Sequence, residues 1–118
     1  MAIINAIASV AVRDLDTAAA WYERILGRPA DSRPIPELAE WKFQRGGWLQ
    51  VYEQPQRAGT GSVTLAIRNM ENQVARLQKL GVDTRLRTSG PRSDTLMISD
   101  PDGNQIALTE SRDPSRAH

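Results

Sequence analysis

The stretch VAVRDLDTAAAWYERILG, residues 10–27, decides how this chain reads. Its first three residues close an apolar, β-branched run from Ile3 to Val12, the pattern of a strand buried on at least one face. Asp14 or Asp16 can then N-cap a helix. Leu15, Ala18, Trp21 and Ile25 recur at helical spacing, and Gly27 is placed to end the helix. That spacing makes Trp21 a core residue. A strand that passes at once into an amphipathic helix is the unit from which the rest follows.

Outward from it, Pro29, Pro34 and Pro36 restrict any strand in 28–36 to a short or edge position. Two β-rich runs, LAEWKFQ (38–44) and WLQVYE (48–53), flank Gly46-Gly47 and predict a hairpin. Trp41 and Phe43 share one strand face, read as core. QPQRAGTG (54–61) is a connector. The pattern then restarts. SVTLAI (62–67) alternates as a strand. Asn69 caps a helix over MENQVARLQKLG (70–81), with Met70, Val74, Leu77 and Leu80 on one face and Gly81 as its stop. VDTRLRT (82–88) and TLMIS (95–99) predict strands. Asp100-Pro101-Asp102-Gly103-Asn104 is a turn, and QIALTE (105–110) is the last strand.

This is an internal repeat. Val12-Arg13-Asp14 matches Ile67-Arg68-Asn69 at an offset of 55 residues, and Leu26-Gly27 matches Leu80-Gly81 at 54. Two copies are too few for a solenoid and fit two half-domains around a shared core. The expected organisation is a first module over 1–54, a connector over 55–61, a second module over 62–110 and a polar tail over 111–118.

Composition narrows the chemistry. The chain of 118 residues has no cysteine and a single histidine, the C-terminal His118. Disulfide scaffolds, thiolate metal sites and a cysteine nucleophile are excluded, and a Ser-His-Asp triad or a two-histidine metal site is implausible within one chain. Fifteen basic against fourteen acidic residues give a net charge of +1, which argues against a nonspecific nucleic-acid binder. No apolar run approaches the roughly 20 residues of a membrane span, and the apolar N-terminus lacks the basic flank of a signal peptide. The expectation is a cytoplasmic protein with neither a nucleic-acid nor a membrane partner.

VAVRDLDTAAAWYERILG and ISDPDGNQIALTE (98–110), in this order and within this repeat, resemble the vicinal oxygen chelate superfamily of glyoxalase I, extradiol dioxygenases and fosfomycin- and bleomycin-resistance proteins. The resemblance implies an α+β fold: two βαβββ modules forming a curved, cup-shaped mixed sheet with helices outside. In metal-dependent members the first and last strands of each module carry the ligands. Carried over position by position, those places fall on Ile7, Gln50, Ser62 and Ala107. One amide and one hydroxyl cannot offset the dehydration of a divalent ion. The expectation is therefore no metal and no cofactor.

Strand alternation extends the surface implied by the resemblance. Asn5, Ile7, Ser9 and Ala11 would face inward, with Trp48, Gln50 and Tyr52, then Ser62, Thr64 and Ala66, then Thr95, Met97, Ser99, Gln105, Ala107 and Thr109. Ile7, Ser9, Trp48, Gln50, Tyr52, Ser62, Thr64, Met97 and Ala107 are the candidate ligand contacts. Trp48 and Tyr52 either cover the sheet or a dimer interface, or stack on a flat ligand. Glu40 and Glu53 would reach the surface as bases only through a bulge or loop, and otherwise read as surface carboxylates. Arg85 and Arg87 read as an exposed strand face or as a rim for an anion. The expected function is metal-independent binding or sequestration of a small apolar or aromatic molecule by a homodimer. The alternative is a lyase, isomerase or dioxygenase-like enzyme of the superfamily working through non-metal acid–base residues. Whether any reaction is catalysed stays open at this point.

Overall fold

The computed structural model describes residues 2–112; positions 113–118 of the tail, His118 included, lie outside the described residues. Ten regular elements follow in the order β1 (Ile7–Val12), α1 (Leu15–Leu26), β2 (Ser32–Ile35), β3 (Leu38–Lys42), β4 (Trp48–Glu53), β5 (Ser62–Ala66), α2 (Met70–Lys79), β6 (Arg87–Ser89), β7 (Ser93–Ser99) and β8 (Gln105–Ser111). A 3-10 turn at Pro55–Arg57 stands in the connector. The fold is α+β, with two βαβββ modules, each forming a four-stranded mixed sheet. The strand orders are β1-β4-β3-β2 and β5-β8-β7-β6, and in each the first and last strands pair in parallel.

By compactness the chain divides into residues 1–61 with 100–104, and residues 62–99 with the chain from 105. The first unit thus takes in the Asp100–Asn104 turn that the repeat alone assigns to the second module. Side-chain chemistry explains this. Asn104 is fully buried; its Nδ2 donates to the Ala11 carbonyl and to Asp100 Oδ2, both at 2.8 Å, and its Oδ1 accepts from Gly61 N at 2.7 Å. Tyr22 Oη donates to Asp100 Oδ2 at 2.8 Å, and Asp100 Oδ1 accepts from the amides of Asp102 and Asn104.

In the first unit, Leu15, Ala18, Tyr22 and Ile25 of α1 are buried, as are Val10, Val12, Ala39, Trp41, Leu49 and Val51. Tyr22, not Trp21, is therefore the aromatic core residue of the helix. The spacing 15, 18, 22, 25 keeps one face of a 3.6-residue period better than a place at 21 does, and Asp100 satisfies the phenol. Trp21 is half-buried, edge-on to Tyr22 with ring centroids 4.8 Å apart. Trp41 is fully buried, its indole N–H donating to the Arg28 carbonyl at 3.0 Å, whereas Phe43 is half-buried beyond the end of β3. β2 is a short edge strand with a register shift, consistent with Pro34 inside it.

The second unit buries Val63, Met70, Leu77, Leu96, Ile98, Ile106 and Leu108. Val74 is half-buried, and Leu80 is 40% exposed because α2 ends at Lys79 and Leu80 is its C-cap. The strand expected over 82–88 forms only from Arg87. Asp83 draws the backbone amide of Arg85 and its guanidinium, a local bond that competes with a sheet ladder. At the other end β8 runs to Ser111, one residue into the expected tail.

Both helices begin in the same way. Leu15 N donates to Glu53 Oε1 at 2.9 Å, and the amides of Asn69 and Met70 donate to Glu110 at 2.8 and 3.0 Å. The closing glutamate of WLQVYE and that of QIALTE each hold a helix N-terminus, where orphan amides and the helix dipole favour a carboxylate. Glu53 is thereby a capping residue on the helix side of its sheet.

Candidate functional site

Register fixes which side chains share a face. In the first sheet Ser9 lies opposite Gln50, Gln50 opposite Glu40, and Glu40 opposite Ser32. One row out, Ile7 pairs with Trp48 and Trp48 with Lys42; on the other side, Ala11 pairs with Tyr52 and Tyr52 with Leu38. Because side chains alternate along each strand, these three rows form the face opposite Leu49, Val51 and Trp41, which belong to the core.

The central row is joined by side-chain hydrogen bonds across all four strands. Ser9 Oγ donates to Gln50 Oε1 at 3.2 Å, Gln50 Nε2 donates to Glu40 Oε2 at 2.7 Å, and Ser32 Oγ donates to Glu40 Oε1 at 2.9 Å. Glu40 is only 7% exposed. The bonds from Gln50 and then Ser32 hold its carboxyl below the ordinary glutamate range against the opposing effect of burial, with Lys42 adding a smaller pull in the same direction. The carboxylate is therefore ionised at neutral pH. Trp48 and Tyr52 are half-buried in the flanking rows, and the Lys42 ammonium lies 4.6 Å from the centroid of the Trp48 ring.

In the second sheet Ser62 pairs with Gln105 and Gln105 with Ser99. Thr64 pairs with Ala107 and Ala107 with Met97. Ala66 pairs with Thr109 and Thr109 with Thr95. Thr95 and Thr109 share a hydroxyl hydrogen bond of 3.0 Å. This face holds hydroxyls, small apolar groups and Met97. Arg87 lies on the other face, where Asp94 takes it at two nitrogens and Glu71 of α2 at one; Arg85 is paired with Asp83. Neither arginine forms a free anion rim.

The nine candidate contacts thus fall on matching faces of their own sheets: Ile7, Ser9, Trp48, Gln50 and Tyr52 in the first, Ser62, Thr64, Met97 and Ala107 in the second. Glu40 joins the first set without any bulge or loop, in contrast to the sequence expectation. The signal was present: Trp41 is a core residue, so its neighbour Glu40 must face the other way. Ser32 carries no such signal, because proline-broken β2 has no readable alternation.

A model of the glyoxalase-like domain family matches residues 7–109. The chain belongs to this family. With it comes membership of the vicinal oxygen chelate superfamily. The glyoxalase-like fold is shared with a glyoxalase/bleomycin resistance protein from Catenulispora acidiphila at 29% identity, covering 92% of this chain and 98% of that one, with a TM-score of 0.82. TnmS3, an antibiotic binding protein from Streptomyces sp. CB03234, is 25% identical over 94% of this chain and 98% of its own, with a TM-score of 0.77. A lactoylglutathione lyase from Agrobacterium tumefaciens, 20% identical over 93% and 94%, shares the fold with a TM-score of 0.75. No curated protein sequence matches the chain.

The metal that metal-dependent members of the superfamily carry does not fit the residues present. The positions that the resemblance assigns to the ligands hold Ile7, Gln50, Ser62 and Ala107, and Glu40, hydrogen-bonded to Gln50 and Ser32, is a single carboxylate where a divalent ion needs several anionic or imidazole ligands. Among the described residues no three of His, Cys, Asp and Glu converge as a metal-binding group. Nor is any described helix long and apolar enough to cross a membrane.

Proposed function

We propose that this glyoxalase-like protein binds and sequesters a small planar or apolar molecule without a metal ion. The observation that carries the proposal is the hydrogen-bonded row Ser9–Gln50–Glu40–Ser32 set between Trp48 and Tyr52 on one sheet face. Aromatic walls supply apolar contact area, and a few fixed polar groups orient a ligand. The antibiotic-binding description of TnmS3 supports the same class. Ile7 adds apolar surface on this face. Ser62, Thr64, Met97 and Ala107 are proposed as further contacts, on the face of the second sheet.

An enzyme working through Glu40 is the second reading. It is disfavoured because the hydrogen bonds that stabilise ionised Glu40 also lower its basicity. Glu53 is committed to the N-terminus of α1.

Titration of tryptophan fluorescence with bleomycin and with naphthalene derivatives tests the binding reading. Saturable quenching that Trp48→Phe largely removes, with no new product by mass spectrometry, supports it. Turnover that disappears in Glu40→Gln would establish the enzyme instead. Elemental analysis showing one tightly held Zn, Ni, Mn or Fe per chain would overturn metal independence. The proposal includes a homodimer; a monomer by light scattering at micromolar concentration would remove that part.

A further inference from the structure

Glu40 is the buried charge of this sheet face, and its consequence is selectivity. Of the residues paired across the three rows of the first sheet face, Glu40 and Lys42 are the charged ones. Their settings differ. Lys42 is exposed, with its ammonium against the Trp48 ring, so solvent screens it. Glu40 is 7% exposed, and its field is screened far less. Each of its oxygens accepts one side-chain hydrogen bond, Oε1 from Ser32 and Oε2 from Gln50, whereas a carboxylate has lone pairs for about four. Alternate residues on a strand stand ~6.6 Å apart, about the length of a fused two-ring aromatic system. A flat ligand stacked on Trp48 or Tyr52 therefore places a substituent over the Glu40 row.

We infer that Glu40 sets the charge class of the ligand: the face takes planar molecules bearing a protonated amine or another strong hydrogen-bond donor, and rejects carboxylates and phosphonates. The inference rests on the reading of this face as a ligand site. An amine finds a weakly screened counter-charge and open lone pairs, whereas an anion meets like-charge repulsion in a poorly solvated position.

Three probes of one shape test it: 2-naphthylmethylamine, 2-naphthalenemethanol and 2-naphthoate, titrated by calorimetry and tryptophan fluorescence against the wild-type protein and Glu40→Gln. The amine should bind at least about tenfold more tightly than the naphthoate to wild type, and the two should converge to within about threefold in Glu40→Gln. In the wild type, the Gln50 side-chain amide resonances should shift with the amine and stay in place with naphthoate, a readout that does not depend on the variant folding. Naphthoate binding as tightly as the amine, or unmoved Gln50 resonances, overturns the inference while leaving the binding function standing. A preference that persists unchanged in folded Glu40→Gln also overturns it. Failure of all three probes to bind the wild type removes the ligand-site reading itself.

Discussion

Gln50 and Glu40 face each other across antiparallel β4 and β3, and the amide of one donates to the carboxylate of the other at 2.7 Å. The pair is the centre of a four-strand polar row, and it makes the stability of the sheet depend on acid. Glu40 has a native pKa below its ordinary value. Its contribution is therefore complete above the unfolded glutamate value of about 4.3 and is lost as pH falls through the native one. Glu40→Gln should be less stable than wild type by about 1 kcal/mol at pH 7. In urea unfolding that difference should narrow steadily below pH 4; a constant difference would contradict the ionised pair.

Trp48 contributes apolar area to the same face and carries the Lys42 ammonium. It is half-buried rather than part of the core. Trp48→Ala should cost about 1 kcal/mol of stability or less, while weakening 2-naphthalenemethanol binding by about tenfold. Chemical denaturation and calorimetry separate the two effects. A large loss of stability with unchanged binding would make Trp48 a structural residue only.

Burial, followed by the charge and hydrogen bond of Asp100, raises the Tyr22 phenol well above its ordinary value. The neutral form is the one the fold holds, so its contribution is present below the unfolded tyrosine value of about 10 and drains away as pH rises beyond it. Wild type should lose stability above pH 10 more steeply than Tyr22→Phe. At pH 7 the same substitution should cost about 1.5–3 kcal/mol through the lost bond to Asp100. Thermal denaturation from pH 7 to 11 reads both.

Asn104 satisfies three partners at once: the Ala11 carbonyl, Gly61 N and Asp100. Asn104→Ala should destabilise by about 2–4 kcal/mol, leaving a cavity and unpaired backbone groups. Asn104→Asp is expected to be worse despite its matching shape, because it removes the donor and sets a carboxylate against Asp100. Equal stability of Asn104→Asp and wild type in urea would refute this bonding scheme.

Gly59 has φ +86, and a Cβ there would stand 2.3 Å from the Asp102 carbonyl oxygen. Gly59→Ala combines a left-handed backbone with a clash against main chain, and should cost at least about 2 kcal/mol. Hydrogen exchange should show the amides of Asp100 and of residues 102–104 opening faster in this variant. Unchanged exchange would show that the connector and the turn yield without strain.

Much of the fold was legible in residues 10–27 and their echo at 65–81. Strand alternation, helix spacing and the ends at Gly27 and Gly81 are local properties, and they placed both helices and most strands. The candidate face on β1, β4, β5, β7 and β8 followed from the same alternation. What stayed hidden depended on partners distant in sequence. Tyr22 shares the helix face of Leu15, Ala18 and Ile25, but the partner that satisfies its buried phenol, Asp100, lies 78 residues away. Ser32 gained meaning only from the register that sets it opposite Glu40. Residues 82–86 are the exception: they alternate like a strand, yet local Asp83–Arg85 bonds, two residues apart, take that segment out of the ladder.

By itself, the sequence determined the two βαβββ modules, their order, and the lack of cysteine and of any histidine but His118, because periods of 2 and 3.6 and residue identity need no partner. Only the tertiary structure decided that Glu53 caps α1, that Asp100–Asn104 folds with the first unit, and that Glu40 lies buried between Gln50 and Ser32. A carboxylate looks the same in any sequence; its role depends on which donors the strand register brings within hydrogen-bonding distance and how much water remains around it.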